Sequence, residues 1–260
     1  MFKRYNIFMK KIAVITPYNN EDFSFIKKAN DSVFEQLGDG FECDHIIVVD
    51  GTDINDNLSK LKCHKIELKK NNNNNGNTPR SIGTDFAIKH NYDFLMYLDA
   101  DNWFINNHVY SLFNLINNQI AIACSYRSFF TDDENKMTYI EDDDCLNKKM
   151  VDTSCYLIPK TFFKDINIWH LIPNETSQWA DRIFFYNILT KKHPLKFSEK
   201  HTVAFRTLYE VHYIHSNLPI PKNVKRNNEM NKKAVNFFLN EKNKENFVKT
   251  FGFWWRPGKK

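Results

Sequence analysis

Phe94-Leu-Met-Tyr-Leu-Asp99-Ala100-Asp101-Asn102 is the stretch that decides how this chain is built. Its five apolar residues form a continuous run, too short for an ordinary helix and ended by charge, so it reads as a buried strand. A run that is apolar on both faces belongs to a parallel sheet covered by helices on either side. Two carboxylates, Asp99 and Asp101, follow the strand by one and three residues and converge on one point if the chain turns there. Hard divalent cations such as Mn²⁺ or Mg²⁺ take oxygen ligands and share their shell with substrate phosphates. An Asp-x-Asp at a strand's carboxyl end therefore suits a metal-bridged diphosphate, the other reading being a capping pair for the next helix.

The same alternation extends in both directions. Upstream, Lys11-Ile-Ala-Val-Ile-Thr16-Pro17-Tyr18 reads as a buried strand, and Asp22–Leu37 as a helix stopped by Gly38 and Gly40. His45-Ile-Ile-Val-Val49 is a second buried strand ending at Asp50-Gly51, and Cys63–Leu68 a third. Asn71–Asn77 reads as an exposed, mobile low-complexity loop. Thr78 is the expected cap of a helix with Pro79 at its first position, running to about His90. Downstream come a helix over Asn107–Asn117 and a strand over Ile120–Tyr126. The rhythm then changes: Thr131–Asp144 is acidic and turn-rich, Thr153–Pro159 reads as a strand and Trp179–Leu189 as a helix. The chain is thus an α/β protein with a mostly parallel, Rossmann-like sheet, whose ligands bind beyond the carboxyl ends of the strands.

Composition narrows the class. Of 260 residues, 42% are hydrophobic and 26% charged, which is globular. The apolar runs are far shorter than the ~20 residues of a membrane span, and Lys10 and Lys11 interrupt any signal-peptide core. Five cysteines form no Cys-x-x-Cys pair, and their odd number points to a reducing cytoplasm rather than a disulfide framework. The net charge of +5 is uneven: residues 222–260 hold eleven Lys or Arg against three Glu, leaving residues 1–221 slightly acidic.

The order of these motifs resembles family 2 glycosyltransferases and their GT-A relatives over residues 11 to about 215. The strand ending Thr16-Pro17-Tyr18 is similar to the family's opening strand. Val48-Val-Asp50-Gly-Thr52 resembles its second-strand motif, whose Asp contacts the nucleoside. Thr78-Pro-Arg80-Ser-Ile-Gly83 resembles the segment whose Arg lies near the nucleotide, and Leu98-Asp99-Ala100-Asp101-Asn102 its metal-binding motif. The resemblance implies a donor site of Thr16, Pro17, Tyr18, Asp50, Arg80, Asp99, Ala100 and Asp101, with Mn²⁺ or Mg²⁺ on Asp99 and Asp101. It also implies a catalytic base in a late acidic motif. Trp179-Ala180-Asp181-Arg182 stands there, with Ala180 where an acid is common, so Asp181 is the candidate; helix capping and an Arg182 ion pair are the other reading. Val211-His-Tyr-Ile-His-Ser216 offers two histidines for a further metal ligand, and His215, before a turn, is the one expected to project from a strand end. Trp169 and Trp179 flank the base and are candidates to stack on an acceptor sugar, with core packing the expected role of at least one of them.

The implied reaction moves a sugar from a nucleotide-diphosphate donor, with a UDP-sugar expected, to a hydroxyl of a glycan or lipid-linked glycan, as in polysaccharide biosynthesis. The implied mechanism is a single metal-dependent, inverting displacement. Two rivals are a non-catalytic binder of nucleotide sugars or glycans, and a sugar-phosphate nucleotidyltransferase. The second needs a Gly-rich loop after the first strand, where Thr16–Glu21 has no Gly. Residues 1–221 are read as the catalytic domain, with a nucleotide-sugar half at 11–126 and an acceptor half at 127–221. Residues 222–260 are a basic helical extension ending Phe251-Gly-Phe-Trp254-Trp255. Its charge and aromatics suggest either packing on the catalytic domain or peripheral contact with the inner membrane face, in preference to nucleic acid.

Overall fold

The computed structural model describes residues 9–116, 119–138, 140–222, 224 and 227–254. Its first half alternates strands and helices: β1 (Lys10–Tyr18), α1 (Phe23–Phe34), β2 (Phe41–Asp50), α2 (Asp56–Ser59), β3 (His64–Leu68), α3 (Asn77–Lys89) and β4 (Phe94–Tyr97). There follow β5 (Trp103–Phe104), α4 (His108–Ile116), β6 (Ile122–Phe130), α5 (Asp143–Leu146), β7 (Tyr156–Pro159), α6 (Phe163–Ile166), α7 (Ala180–Thr190) and β8 (Leu195–Arg206). Three helices close the chain: α8 (Glu210–His215), α9 (Asn227–Leu239) and α10 (Glu241–Phe251).

All eight strands join one sheet in the order β3-β2-β1-β4-β7-β6-β8-β5. Strands β3, β2, β1 and β4 run parallel, as their apolar runs require: Ile12, Val14 and Ile15 of β1 and Ile46–Val49 of β2 are wholly buried. Burying each such side chain is worth about 1.5–3 kcal/mol. Strand β7 then enters antiparallel between β4 and β6, so the sheet is mixed, and the division drawn at residue 126 falls inside β6. Strand β8, absent from the sequence reading, runs parallel to β6 and antiparallel to β5. Its first residues are half-buried, which masks the apolar pattern.

The helix of the opening unit begins where expected: the Asp22 carboxylate accepts the Ser24 N–H at 2.8 Å as N-cap. Helix α3 differs. Its N-cap is Gly76 at φ 77°, which places Pro79 third in the helix and Thr78 inside the first turn. The basic extension is two helices rather than one. They pack against the rest of the fold, burying Phe238, Phe247 and Phe251 in the main core, with Phe253 5.9 Å from the Tyr186 ring. Trp254 is 41% exposed, and Trp255 lies outside the described residues. No described helix is long and apolar enough to cross a membrane.

Candidate active site

The carboxyl ends of β1, β2 and β4 open on a cavity of about 630 Å³, the position that parallel strand order dictates for a ligand. Pro17 and Tyr18 line it from β1 and Asp50 from β2. Thr16 does not: it is fully buried, its hydroxyl 2.8 Å from His45 Nε2. Thr16 lies inside β1 and is hydrogen-bonded into the core, whereas Pro17 and Tyr18 end the strand and reach the cavity. The Asp50 carboxylate accepts the Asn72 N–H at 3.1 Å and the Asn72 side-chain amide at 2.6 Å. Gly51 stands at φ 74°, and a Cβ there would lie 1.9 Å from the Asn71 nitrogen, so only glycine lets these two segments approach.

The asparagine-rich loop is therefore part of the site rather than an exposed tether. Asn71, Asn73, Asn74 and Asn75 line the cavity, and Asn74 and Asn77 are buried. Short amides satisfy backbone groups locally and tolerate left-handed conformations, here at Asn73 and Asn75. The Asn74 carbonyl accepts the Thr78 N–H at 3.2 Å, doing the work expected of a Thr78 cap. The Asn75 carbonyl accepts from Arg80 Nη1 at 2.8 Å, and its amide donates to Ser177 at 2.8 Å across the cavity.

Arg80, on the first turns of α3, reaches Asp99 at 2.5 Å with its other guanidinium nitrogen. Asp99, Ala100 and Asp101 all line the cavity just past β4, as the sequence predicts. Asp152, 5% exposed, lines it beside them. Burial pushes the Asp152 carboxyl up to about 6, against the pull of Arg127 and with the added push of Asp99. Arg127 itself is buried and holds Asp142 at 2.6 Å and Asp152 at 3.3 Å. No motif marked Arg127, and the expected strand ended at Tyr126, one residue before it, whereas β6 runs on to Phe130.

The same cavity carries the candidate base. Asp181, in the first turn of α7, lines the cavity and accepts the Arg182 N–H at 2.7 Å. Burial holds its carboxyl above the usual carboxylate range, although Arg182 opposes the shift. The Arg182 guanidinium pairs with Asp144 at 2.9 Å and lies 5.2 Å from the Trp179 ring, which lines the cavity. Trp169 is placed differently: wholly buried, it stacks on Phe184 at 4.4 Å and donates to Tyr97 at 2.8 Å, so it is core and cannot meet an acceptor. Tyr209, unmarked by the sequence motifs, lines the cavity; burial and the charges of Asp181, Asp152, Asp101 and Asp99 push its phenol up to about 12.

The two histidines lie on helix α8 and not at a strand end. His215 is exposed and away from the cavity, whereas His212 lines it, with Nδ1 2.6 Å from the Thr207 hydroxyl. Burial drops the His212 pKa to about 4, so the imidazole is neutral at pH 7. Among the described residues no three His, Cys, Asp or Glu side chains converge as ligands of one ion. Asp99 and Asp101 beside a cavity rich in carboxylates nevertheless fit a hard cation that takes two protein oxygens and completes its shell from a bound diphosphate.

The fold is shared with solved structures of TarS from S. aureus. A TarS 1–349 chain in complex with UDP matches at TM-score 0.57 and 14% identity, covering 94% of this chain and 72% of that one. A longer TarS chain matches at TM-score 0.55 and 14% identity, with 94% of this chain and 48% of that one covered, so this chain spans about half its length. No curated protein sequence matches. The family model described as glycosyl transferase family 2 matches residues 13–206, a span that begins in β1, ends on the last residue of β8 and takes in the DxD turn and Asp181. The chain therefore belongs to glycosyl transferase family 2 and is a glycosyltransferase of the GT-A fold.

Proposed function

We propose that the protein transfers a sugar from a UDP-sugar to a hydroxyl of a glycan or lipid-linked glycan, by metal-dependent displacement with inversion. The observation that carries this reading is the composition of one cavity. It brings Arg80, Asp99 and Asp101 together with Asp181, a carboxyl shifted toward proton affinity. The bound UDP of the similar TarS structure is consistent with this donor class.

The nucleoside end fits Asp50, Tyr18 and the asparagine loop, whose amides and carbonyls can read a base edge. Arg80 faces the diphosphate and stabilises charge developing on the leaving phosphate, an interaction that is stronger in a site sheltered from water. Asp99 and Asp101 would hold Mn²⁺ or Mg²⁺, with His212 rather than His215 in the same cavity, and the ion would supply further charge neutralisation there. In the same cavity Asp181 takes the proton of the acceptor hydroxyl as the hydroxyl oxygen bonds to the anomeric carbon. The bond from that carbon to the phosphate oxygen breaks, and UDP leaves with the electron pair. Trp179 offers a ring beside the base for the acceptor, and Tyr209 a phenol that keeps its proton.

The test is a panel of nucleotide sugars assayed for hydrolysis with Mn²⁺ or with EDTA. A UDP-sugar should be turned over fastest and only with metal, and Asp101→Ala should abolish both turnover and the extra thermal stabilisation by UDP plus Mn²⁺. Equal turnover in EDTA, or an active Asp101→Ala protein, would sink the metal-dependent reading.

A further inference from the structure

We propose that Arg206, at the far end of β8 and outside the cavity, is the positioning residue that sets the direction of Asp101. The proposal rests on the metal reading above. Arg206 is 3% exposed, and its Nε donates to the Asp101 carbonyl at 3.2 Å. Its backbone N–H donates to the Asn102 side-chain carbonyl at 3.0 Å. One residue therefore grips the turn at two adjacent points, 105 positions away in sequence.

The rest of the turn is held from elsewhere. Asp99 donates its N–H to the Ser154 hydroxyl at 3.3 Å, and the Asn102 N–H returns to the Asp99 carbonyl at 3.0 Å. With the Asp101 carbonyl, the Asn102 side chain and the Asn102 N–H all held, the backbone of the turn is restrained, and with it the direction of the Asp101 Cα–Cβ bond. The argument is about geometry and not charge. Arg206 spends its charge on the opposite side, where Nη2 pairs with Glu134 at 2.7 Å and Nη1 donates to the Asp132 carbonyl. Lys28 reaches the same Glu134. Phe25 lies 4.0 Å and Trp103 5.4 Å from the guanidinium carbon, which locks its plane. A lysine has no nitrogen at the Nε position and no planar fork, so it cannot hold the Asp101 carbonyl and Glu134 together. A misplacement of about 1 Å at a reacting group costs up to ~10²-fold in rate, so this grip has a measurable effect.

The experiment is a Mn²⁺ titration of thermal stability in saturating UDP, on the full chain. Arg206→Lys should raise the half-saturating Mn²⁺ at least ~10-fold while the shift from UDP alone is unchanged. Asn102→Ala, which removes the second grip without burying a charge, should move the titration the same way and serves if Arg206→Lys fails to fold. Glu134→Gln, which loosens only the outer ion pair, should stay within about twofold of wild type. A wild-type titration in the folded Arg206 or Asn102 variant overturns the proposal. So does a Glu134→Gln protein as impaired as Arg206→Lys, since the role would then be to anchor the 131–135 turn. If Asp101→Asn also keeps its Mn²⁺ response, the metal reading fails instead.

Discussion

Asp181, half-buried, and Asp152, buried, are two carboxyls with raised proton affinity, and their partners separate their roles. Asp181 stands in a helix's first turn beside Trp179, with Arg182 directed to Asp144, so its carboxylate faces the cavity. Asp181→Asn keeps the shape and removes the base; turnover should fall ~10²-fold or more with UDP binding unchanged, by kinetics and calorimetry. Because the base must be ionised, wild-type turnover should decline as pH falls, with a midpoint above the ~4 of an ordinary Asp. Asp152 is tied to Arg127 and acts on stability. Its carboxyl titrates at about 6 in the folded chain against ~4 unfolded, so folding takes up a proton between these values. The stability from this uptake is present below pH ~4 and is lost as pH rises through about 6. Melting curves from pH 4 to 7 should therefore fall less steeply for Asp152→Asn than for wild type; an equal slope would remove Asp152 from the account.

At the scale of elements, the parallel strands were legible because burial on both faces demands unbroken apolar runs, as in Ile46–Val49 and Phe94–Tyr97. Asp50, Asp99 and Asp101 follow from those runs, since a carboxylate just past a buried strand must face the sheet's edge. What escaped the sequence was set by tertiary contacts. The asparagine loop has a polar composition that reads as solvent-facing, yet its amides bind Asp50, Thr78 and Ser177. Trp169 and Trp179 look alike in sequence, and only packing on Phe184 assigns the first to the core. Strand β8 hides because its first seven residues are not buried. The loop's fit to β2 makes its own prediction. Gly51→Ala must resolve a 1.9 Å clash with the Asn71 backbone in a left-handed conformation. It should lower the melting temperature and weaken UDP binding more than Asn72→Ala does, measured by thermal shift; an unaltered Gly51→Ala protein would mean the loop is not held against β2.

At the scale of the whole molecule, α9 and α10 pack onto the main core while Lys232, Lys233, Lys242 and Lys249 remain exposed. With Leu239, Val248 and Trp254 also outward, this surface carries the composition of a membrane interface. Co-sedimentation with anionic vesicles should succeed at low salt, weaken at high salt and vanish on truncation after Asn246. Full-length protein left in the supernatant at low salt would make the extension a purely structural cap. The sheet order bears also on synthesis. Strand β8 is the last strand in sequence, yet it lies beside β6 and β5 and carries the arginine that grips the Asp101 turn. Chains emerge from the ribosome amino end first and fold by units as they do so. A nascent chain can thus pair β1 to β4 early and show Asp99 and Asp101 at the sheet edge, while the turn that aims them waits for residue 206. Arrested nascent chains should gain Mn²⁺-dependent protection from proteolysis, beyond that given by UDP alone, only when Arg206 has cleared the exit tunnel, so that metal-assisted binding of the donor waits for the last strand of the sheet.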